Sequence, residues 1–201
     1  MPKNITLSLR FLDKHPRKGQ QTFFPEKFLA NIGVDYTSAE YWKTLLEINK
    51  DKLESEDCKL TKDGLFAFWR SLIDIDTVAS LSGGISSKGH TIRQGNRFKT
   101  GDKANICVWI NRPYHDPQIR LWHPVEINVN RFKIGIDHDY KWIDIKESIF
   151  YEENLSFKSQ LGALTILANS DGLALEDFKA WFKWPSDFAG QILIWDKEIE
   201  Y

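Results

Sequence analysis

From Ile5 to Phe11 apolar residues alternate with Thr6, Ser8 and Arg10, and this period of two predicts a first strand. A polar loop follows at His15–Gln21. Thr22, with Glu26 a few residues on and Pro25 near the first turn, opens a helix through Leu29 that stops at Gly33. A second helix starts near Ser38, with Tyr41, Leu45 and Ile48 on one face. The acidic run Glu54–Asp57 breaks that pattern. Leu65, Phe66, Phe68, Trp69, Leu72 and Ile73 then give the clearest helical period in the chain, capped from Thr61 or Asp63. Ser82–Gly84 ends this helical stretch, and residues 34–84 are too few to bury a core of their own, so they read as a helical insertion.

From His90 onward the period shortens to that of strands. Gly101–Asp102 turns into a strand at Ile106–Ile110, a loop at Pro113–Pro117 follows, and Ile119–Asn128 reads as one further strand. Arg131–Ile136 and Tyr140–Ile145 form a hairpin about Asp137–Asp139. Helices fit Phe157–Ala168 and Leu175–Phe182, and Gln191–Trp195 is the last strand. The pattern predicts a single α+β domain over residues 1–201.

Composition adds a limit. With 42% hydrophobic residues and 13 Phe, 8 Trp and 6 Tyr, the chain has ample apolar material for one aromatic-rich core. Cys58 and Cys107 are far apart and in no metal-type spacing, so both are expected as reduced thiols. No apolar run suits an export signal or a membrane span, and the expected compartment is cytoplasmic. The five histidines never pair at ligand spacing, so neither a metal nor another cofactor is expected.

Charge is distributed in blocks. Residues 1–27 carry six Lys/Arg against two acids, and residues 84–133 carry nine against three. The remaining stretches are net acidic. Such a split can focus positive potential on one face, as an anionic ligand requires, although scattered surface charge gives the same count.

The densest chemistry lies at Ser87-Lys88-Gly89-His90-Thr91-Ile92-Arg93. On a strand, His90 and Ile92 face one way and Thr91 and Arg93 the other. Lys88 sits beside a glycine and can swing to either side. A lysine near a threonine hydroxyl can activate the alcohol if burial or nearby cations hold the amine neutral, and Arg93 disfavours the ammonium form. Arg93 also offers a planar fork to a phosphate, a carboxylate or a base edge. An ordinary surface strand with charged Lys and Arg is the alternative.

Four stretches in order resemble the ASCH family of PUA-like barrels, which includes small bacterial N4-acetylcytidine amidohydrolases. Ile5-Thr6 with Arg10-Phe11 is similar to its first strand, Lys88–Arg93 to its K-x-x-T-I-R signature, and Phe98-Lys99-Thr100-Gly101-Asp102 to its F-K-x-G-D turn. Asp171 to Phe178 with Gly190-Gln191 is similar to its ending. The likeness covers about two thirds of the chain and leaves out residues 34–84.

The resemblance implies a small PUA-like (ASCH) β-barrel with flanking helices. Its basic cleft would recognise RNA or a modified nucleoside or nucleotide, with Arg10, His90, Arg93, Arg97 and Lys99 as ligand-binding residues. It also implies an alternative, an amidohydrolase acting on N4-acetylcytidine-like nucleosides. Thr91 would then be the nucleophile, Lys88 its base, and Asp171 a proton shuttle or orienter for Lys88. The family has Glu where this chain has Asp171, one methylene shorter, and about 1 Å of misplacement can cost on the order of 10²-fold in rate. Before Gly172 and a helix, Asp171 equally suits a turn or cap. The 34–84 stretch could dock a protein partner, and no membrane contact is expected.

Overall fold

The computed structural model describes residues 2–74, 88–110, 114–137, 140–145, 148–151, 157–182 and 188–199. It is an α+β chain whose strands fall into two sheets. Chain contacts divide it into two interleaved units. Unit 1 comprises Met1–Phe11, Gln21–Ile85 and Lys103–Glu126, and unit 2 comprises Leu12–Gln20, Ser86–Asp102 and Ile127–Tyr201.

In unit 1, strand β1 (Lys3–Leu7) runs parallel to β3 (Lys103–Trp109), which pairs antiparallel with β4 (Gln118–Arg120) and β5 (Val125–Glu126). Alternation decides which face is buried: Ile5 and Leu7 turn inward, with Ala104, Ile106 and Val108 beside them. The first strand ends at Leu7 rather than Phe11, because the Leu9 carbonyl accepts the Thr22 amide and Arg10 forms an isolated bridge with Gln21. The expected Ile119–Asn128 strand is broken at Trp122–Pro124, since proline has no N–H to give a ladder.

Residues at or near the first turn mark the starts of three helices of unit 1. Helix α1 (Phe24–Asn31) has Pro25 in its first turn, and the Thr22 hydroxyl accepts the Phe24 N–H. Helix α2 (Ala39–Ile48) is capped by Ser38, which accepts from the Tyr41 N–H, and α4 (Lys62–Leu72) by Thr61, which accepts from the Gly64 N–H. Between them lies the single turn α3 (Lys50–Leu53). Asn49, fully buried, replaces a missing strand neighbour for β4. Its side-chain amide donates to the Arg120 carbonyl at 3.0 Å and accepts the Arg120 N–H at 2.9 Å. Arg120 in turn holds Asp51 through two hydrogen bonds, at 2.9 and 2.7 Å.

One residue of this unit sits against its own chemistry. Glu26 on α1 is 4% exposed, and its Oε2 has no hydrogen-bond partner. Burial raises its pKa from the ordinary 4.5 to about 7, opposed by a backbone hydrogen bond and by Lys27.

Unit 2 holds a five-stranded antiparallel sheet in the order β2 (His90–Gln94), β9 (Phe188–Ile194), β6 (Asn128–Asp137), β7 (Tyr140–Ile145) and β8 (Ser148–Tyr151). Two helices, α5 (Phe157–Ser170) and α6 (Leu175–Trp181), complete it. The β9 strand begins earlier than its apolar run, at Phe188. Close approach explains the Gly-Gln pair within it. A Cβ on Gly190 would strike the Arg93 carbonyl, so β2 can pair tightly only against glycine. Gln191 clamps the chain at Phe98, accepting its N–H at 3.0 Å and donating to its carbonyl at 2.8 Å.

That clamp fixes the Phe98–Asp102 turn. Lys99 donates its N–H to the Asp102 carboxylate at 2.8 Å, Gly101 takes a φ of +87°, and Asp102 and Gly101 exchange backbone hydrogen bonds with Ile127. The residues 12–20 loop is pinned to α6 by Arg17, which donates to Asp177 at 2.6 Å, and by His15, whose Nδ1 accepts the Arg17 N–H while Nε2 meets the Asp177 carbonyl. The Ser82–Gly84 stop and the Asp137–Asp139 turn fall wholly or partly outside the described residues.

Candidate functional site

Helix α5 ends by a left-handed turn that only glycine takes freely. Gly172 has a φ of +74°, its N–H bonds to the Asn169 carbonyl, and the Leu173 N–H reaches back to Ala168. This stop leaves Asp171 just beyond the helix, where it forms an antiparallel bridge with Lys88. The neighbouring Gly89 donates its N–H to the Ser170 carbonyl at 2.9 Å.

The other side of Lys88-Gly89 is held by the end of β9. The Trp195 indole N–H donates to the Lys88 carbonyl at 2.8 Å, and the Trp195 and Asp196 amides both donate to the Gly89 carbonyl at 3.1 Å. A Cβ on Gly89 would lie 2.5 Å from Ile199 Cδ1 and 2.8 Å from Asp196 Cβ. Glycine is therefore required by packing here, not only by flexibility. The Lys88 backbone is fixed from both sides, so its side chain does not swing as the glycine alone suggested.

Within that frame Lys88 Nζ donates to Asp171 Oδ1 at 2.6 Å and to the Asp171 carbonyl at 2.7 Å. Both side chains are withdrawn from solvent, 1% and 6% exposed. His90 Nε2 lies 4.0 Å from the same Oδ1 and is fully buried. Burial drives the Lys88 pKa down from 10.5 to about 8. The Asp171 charge and hydrogen bond oppose that fall, and Arg93 adds to it. Burial, and then the Lys88 charge, hold His90 well below its ordinary pKa, so its imidazole is neutral. Burial also lowers Arg93, with Asp171 acting the other way.

Lys88, His90 and Asp171 thus form one buried cluster, with Arg93 in electrostatic reach. Thr91 lies on β2 opposite Leu193, on the sheet face away from His90, and is itself buried. Among the described residues no hydrogen bond joins its hydroxyl to Lys88. Arg97 and Lys99 are exposed on the loop that Gln191 clamps, with Arg97 5.2 Å from the Phe98 ring centre. Arg10 belongs to unit 1 and is exposed beside its bridge to Gln21.

Sequence reasoning missed Trp195, whose indole sets the Lys88 carbonyl, and it missed the packing need for Gly89. The only signal for either was position, a tryptophan closing the last strand and a glycine next to the lysine.

The cluster can do two things chemically. A buried ammonium–carboxylate pair beside a neutral imidazole offers a small polar ligand a fixed set of donors and acceptors. An amine with a pKa about 8 also leaves on the order of a tenth of molecules in the base form at neutral pH. Fold and site together define an α+β chain with a buried lysine–aspartate–histidine centre. Comparison with protein-family models, with curated proteins and with solved structures found no match. Among the described residues no helix is long and apolar enough to cross a membrane.

Proposed function

We propose that the chain is an ASCH-type protein on a PUA-like barrel and that it recognises a nucleoside or nucleotide, free or within RNA, at the Lys88–Arg93 segment. The observation that carries this reading is the buried Lys88–Asp171 pair at 2.6 Å with His90 beside it. A desolvated polar set of this kind discriminates between ligand edges, because a mismatched ligand leaves a buried group unpaired. Arg93, Arg97 and Lys99 supply cations for a phosphate. Burial of the central groups favours a single nucleoside unit at Lys88 over contact with a sugar–phosphate backbone there.

A second reading is amidohydrolysis of an N4-acylated cytidine, and the lowered Lys88 amine favours it. The Thr91 oxygen would add to the acyl carbonyl carbon as Lys88 takes its proton, and the C–N bond would break as that proton passes to the departing amine. Water would then cleave the threonine ester and release the acid. This reading requires the Lys88 side chain to leave Asp171 and reach the Thr91 hydroxyl, which the structure holds on the other face of β2. Asp171 orients the amine and stabilises its charged form. Residues 34–84 remain the candidate surface for a protein partner.

Calorimetry with cytidine, N4-acetylcytidine and a short RNA over a salt series tests the first reading. Binding that Arg93→Gln weakens and that falls with salt supports it, because phosphate contacts release counterions. No binding of any of the three overturns it. Column-monitored turnover of N4-acetylcytidine by wild type, absent in Lys88→Ala, tests the second. No turnover at high enzyme concentration removes that substrate.

A further inference from the structure

The sequence leaves open whether the nine Lys/Arg of residues 84–133 are scattered or focused, and in unit 2 five of them gather about one point. That point is the clamp between Gln191 and Phe98. Gln191 on β9 is the register partner of Arg93 on β2 and of Arg131 on β6, so all three share one face of the sheet. Lys133, two positions further along β6, shares that face too. The Gln191 carboxamide holds both the N–H and the carbonyl of Phe98, which draws the loop onto this face with Arg97 and Lys99 on either side. Thr100 then fastens the loop to β6, its hydroxyl accepting the Val129 N–H at 3.0 Å.

Arg97, Lys99, Arg131 and Lys133 are exposed, whereas Gln191 and Phe98 between them are buried. Among the described residues no ion pair holds Lys99, Arg131 or Lys133. Asp102 spends its carboxylate on the Lys99 backbone N–H, and Asp144, the register partner of Lys133, makes no ion pair with it. Like charges gathered without counter-charges concentrate positive potential where an anion relieves it. Spacing decides which anion. Arg93 and Arg131 stand about 10 Å apart across β9, and Lys133 lies about 7 Å beyond Arg131 along the strand. One phosphate cannot span such distances, and successive phosphates of a chain can.

We propose that this face carries the phosphodiester backbone of a single-stranded RNA, with Arg131 and Lys133 as phosphate contacts beside Arg93, Arg97 and Lys99. Arg93 belongs to the Lys88–Arg93 segment, so the backbone on this face leads to the nucleoside read there. The choice of RNA rests on that nucleoside reading, and the cation cluster stands without it. The strand is unpaired, because a base taken into a buried centre must be splayed out of any duplex.

Fluorescence anisotropy of the full chain with labelled octacytidylate over a salt series tests it. In a plot of log K against log salt, each phosphate contact to a single strand contributes about 0.7 to the slope. Arg131→Gln/Lys133→Gln is therefore expected to flatten the slope by about 1.4. It should weaken octacytidylate and octauridylate by the same factor, because phosphate contacts carry no sequence information. Lys62→Gln on α4, which removes an exposed charge elsewhere, should leave the slope as it is. A slope unchanged in the double variant overturns the proposal. So does octaglutamate that binds as tightly as octacytidylate, since the face would then take acidic peptides. Failure of the Lys88 reading looks different: free cytidine shows no binding, while the double variant still flattens the octacytidylate slope and upholds this face.

Discussion

Lys88 Nζ sits 2.6 Å from Asp171 Oδ1 with neither side chain open to solvent, across 83 positions of sequence. Each charge is costly to bury alone and tolerable only with the other. The pair therefore joins the end of α5 to the start of β2 as firmly as it sets up the chemistry.

Breaking the pair from one side should destabilise the fold strongly. Asp171→Asn leaves the Lys88 ammonium buried without its carboxylate, and a loss of about 3–5 kcal/mol is expected. The double variant Lys88→Met/Asp171→Leu should recover most of it. Urea unfolding, read as the midpoint at constant m-value, checks both.

The Lys88 amine also predicts a pH dependence. Its folded pKa of about 8 lies below the ordinary 10.5, so between these values the unfolded chain binds more protons than the folded one. Stability should rise with pH across that window, by up to about 3 kcal/mol. The rise should vanish in Lys88→Met. Thermal unfolding from pH 7.5 to 10.5 tests the sign, since a fall confined to wild type contradicts it.

Glu26 predicts the opposite slope in unit 1. Its carboxyl keeps a proton up to about pH 7 when folded but loses it near 4.5 when unfolded, so stability should fall as pH rises between those values. The size is again up to about 3 kcal/mol. Glu26→Gln should flatten the slope and raise the unfolding temperature at pH 8.

Gly89→Ala should cost about 1–3 kcal/mol through overpacking, because the added methyl meets Ile199 and Asp196. Ile199→Ala should rescue part of that loss if the clash is the cause. Measured together, the two variants separate packing from backbone freedom.

Much of this was legible along the chain where a local rule applied. Ser38 and Thr61 cap the helices that follow them, and Pro25 lies in the first turn of α1, because each satisfies a helix start from within a few residues. Ile119–Asn128 misled because its apolar count ignores the proline that divides it, and the short β8 went unread. The parallel pairing of Lys3–Leu7 with Ala104–Val108 joins segments a hundred positions apart, and periodicity carries no trace of it. The candidate site divides in the same way. Chemical density marked Lys88–Arg93, and only the family resemblance linked it to Asp171. The indole of Trp195 and the separation of Thr91 from Lys88 depend on how strands and turns pack in space.

The most direct test of the proposed site is the titration of Lys88 itself, followed by NMR of its labelled ε-carbon with and without N4-acetylcytidine. A midpoint near 8 is expected for the free protein, displaced when the nucleoside binds, with no signal of that kind in Lys88→Met. A midpoint at the ordinary 10.5, unmoved by nucleoside, would contradict both the buried pair and its role in recognition.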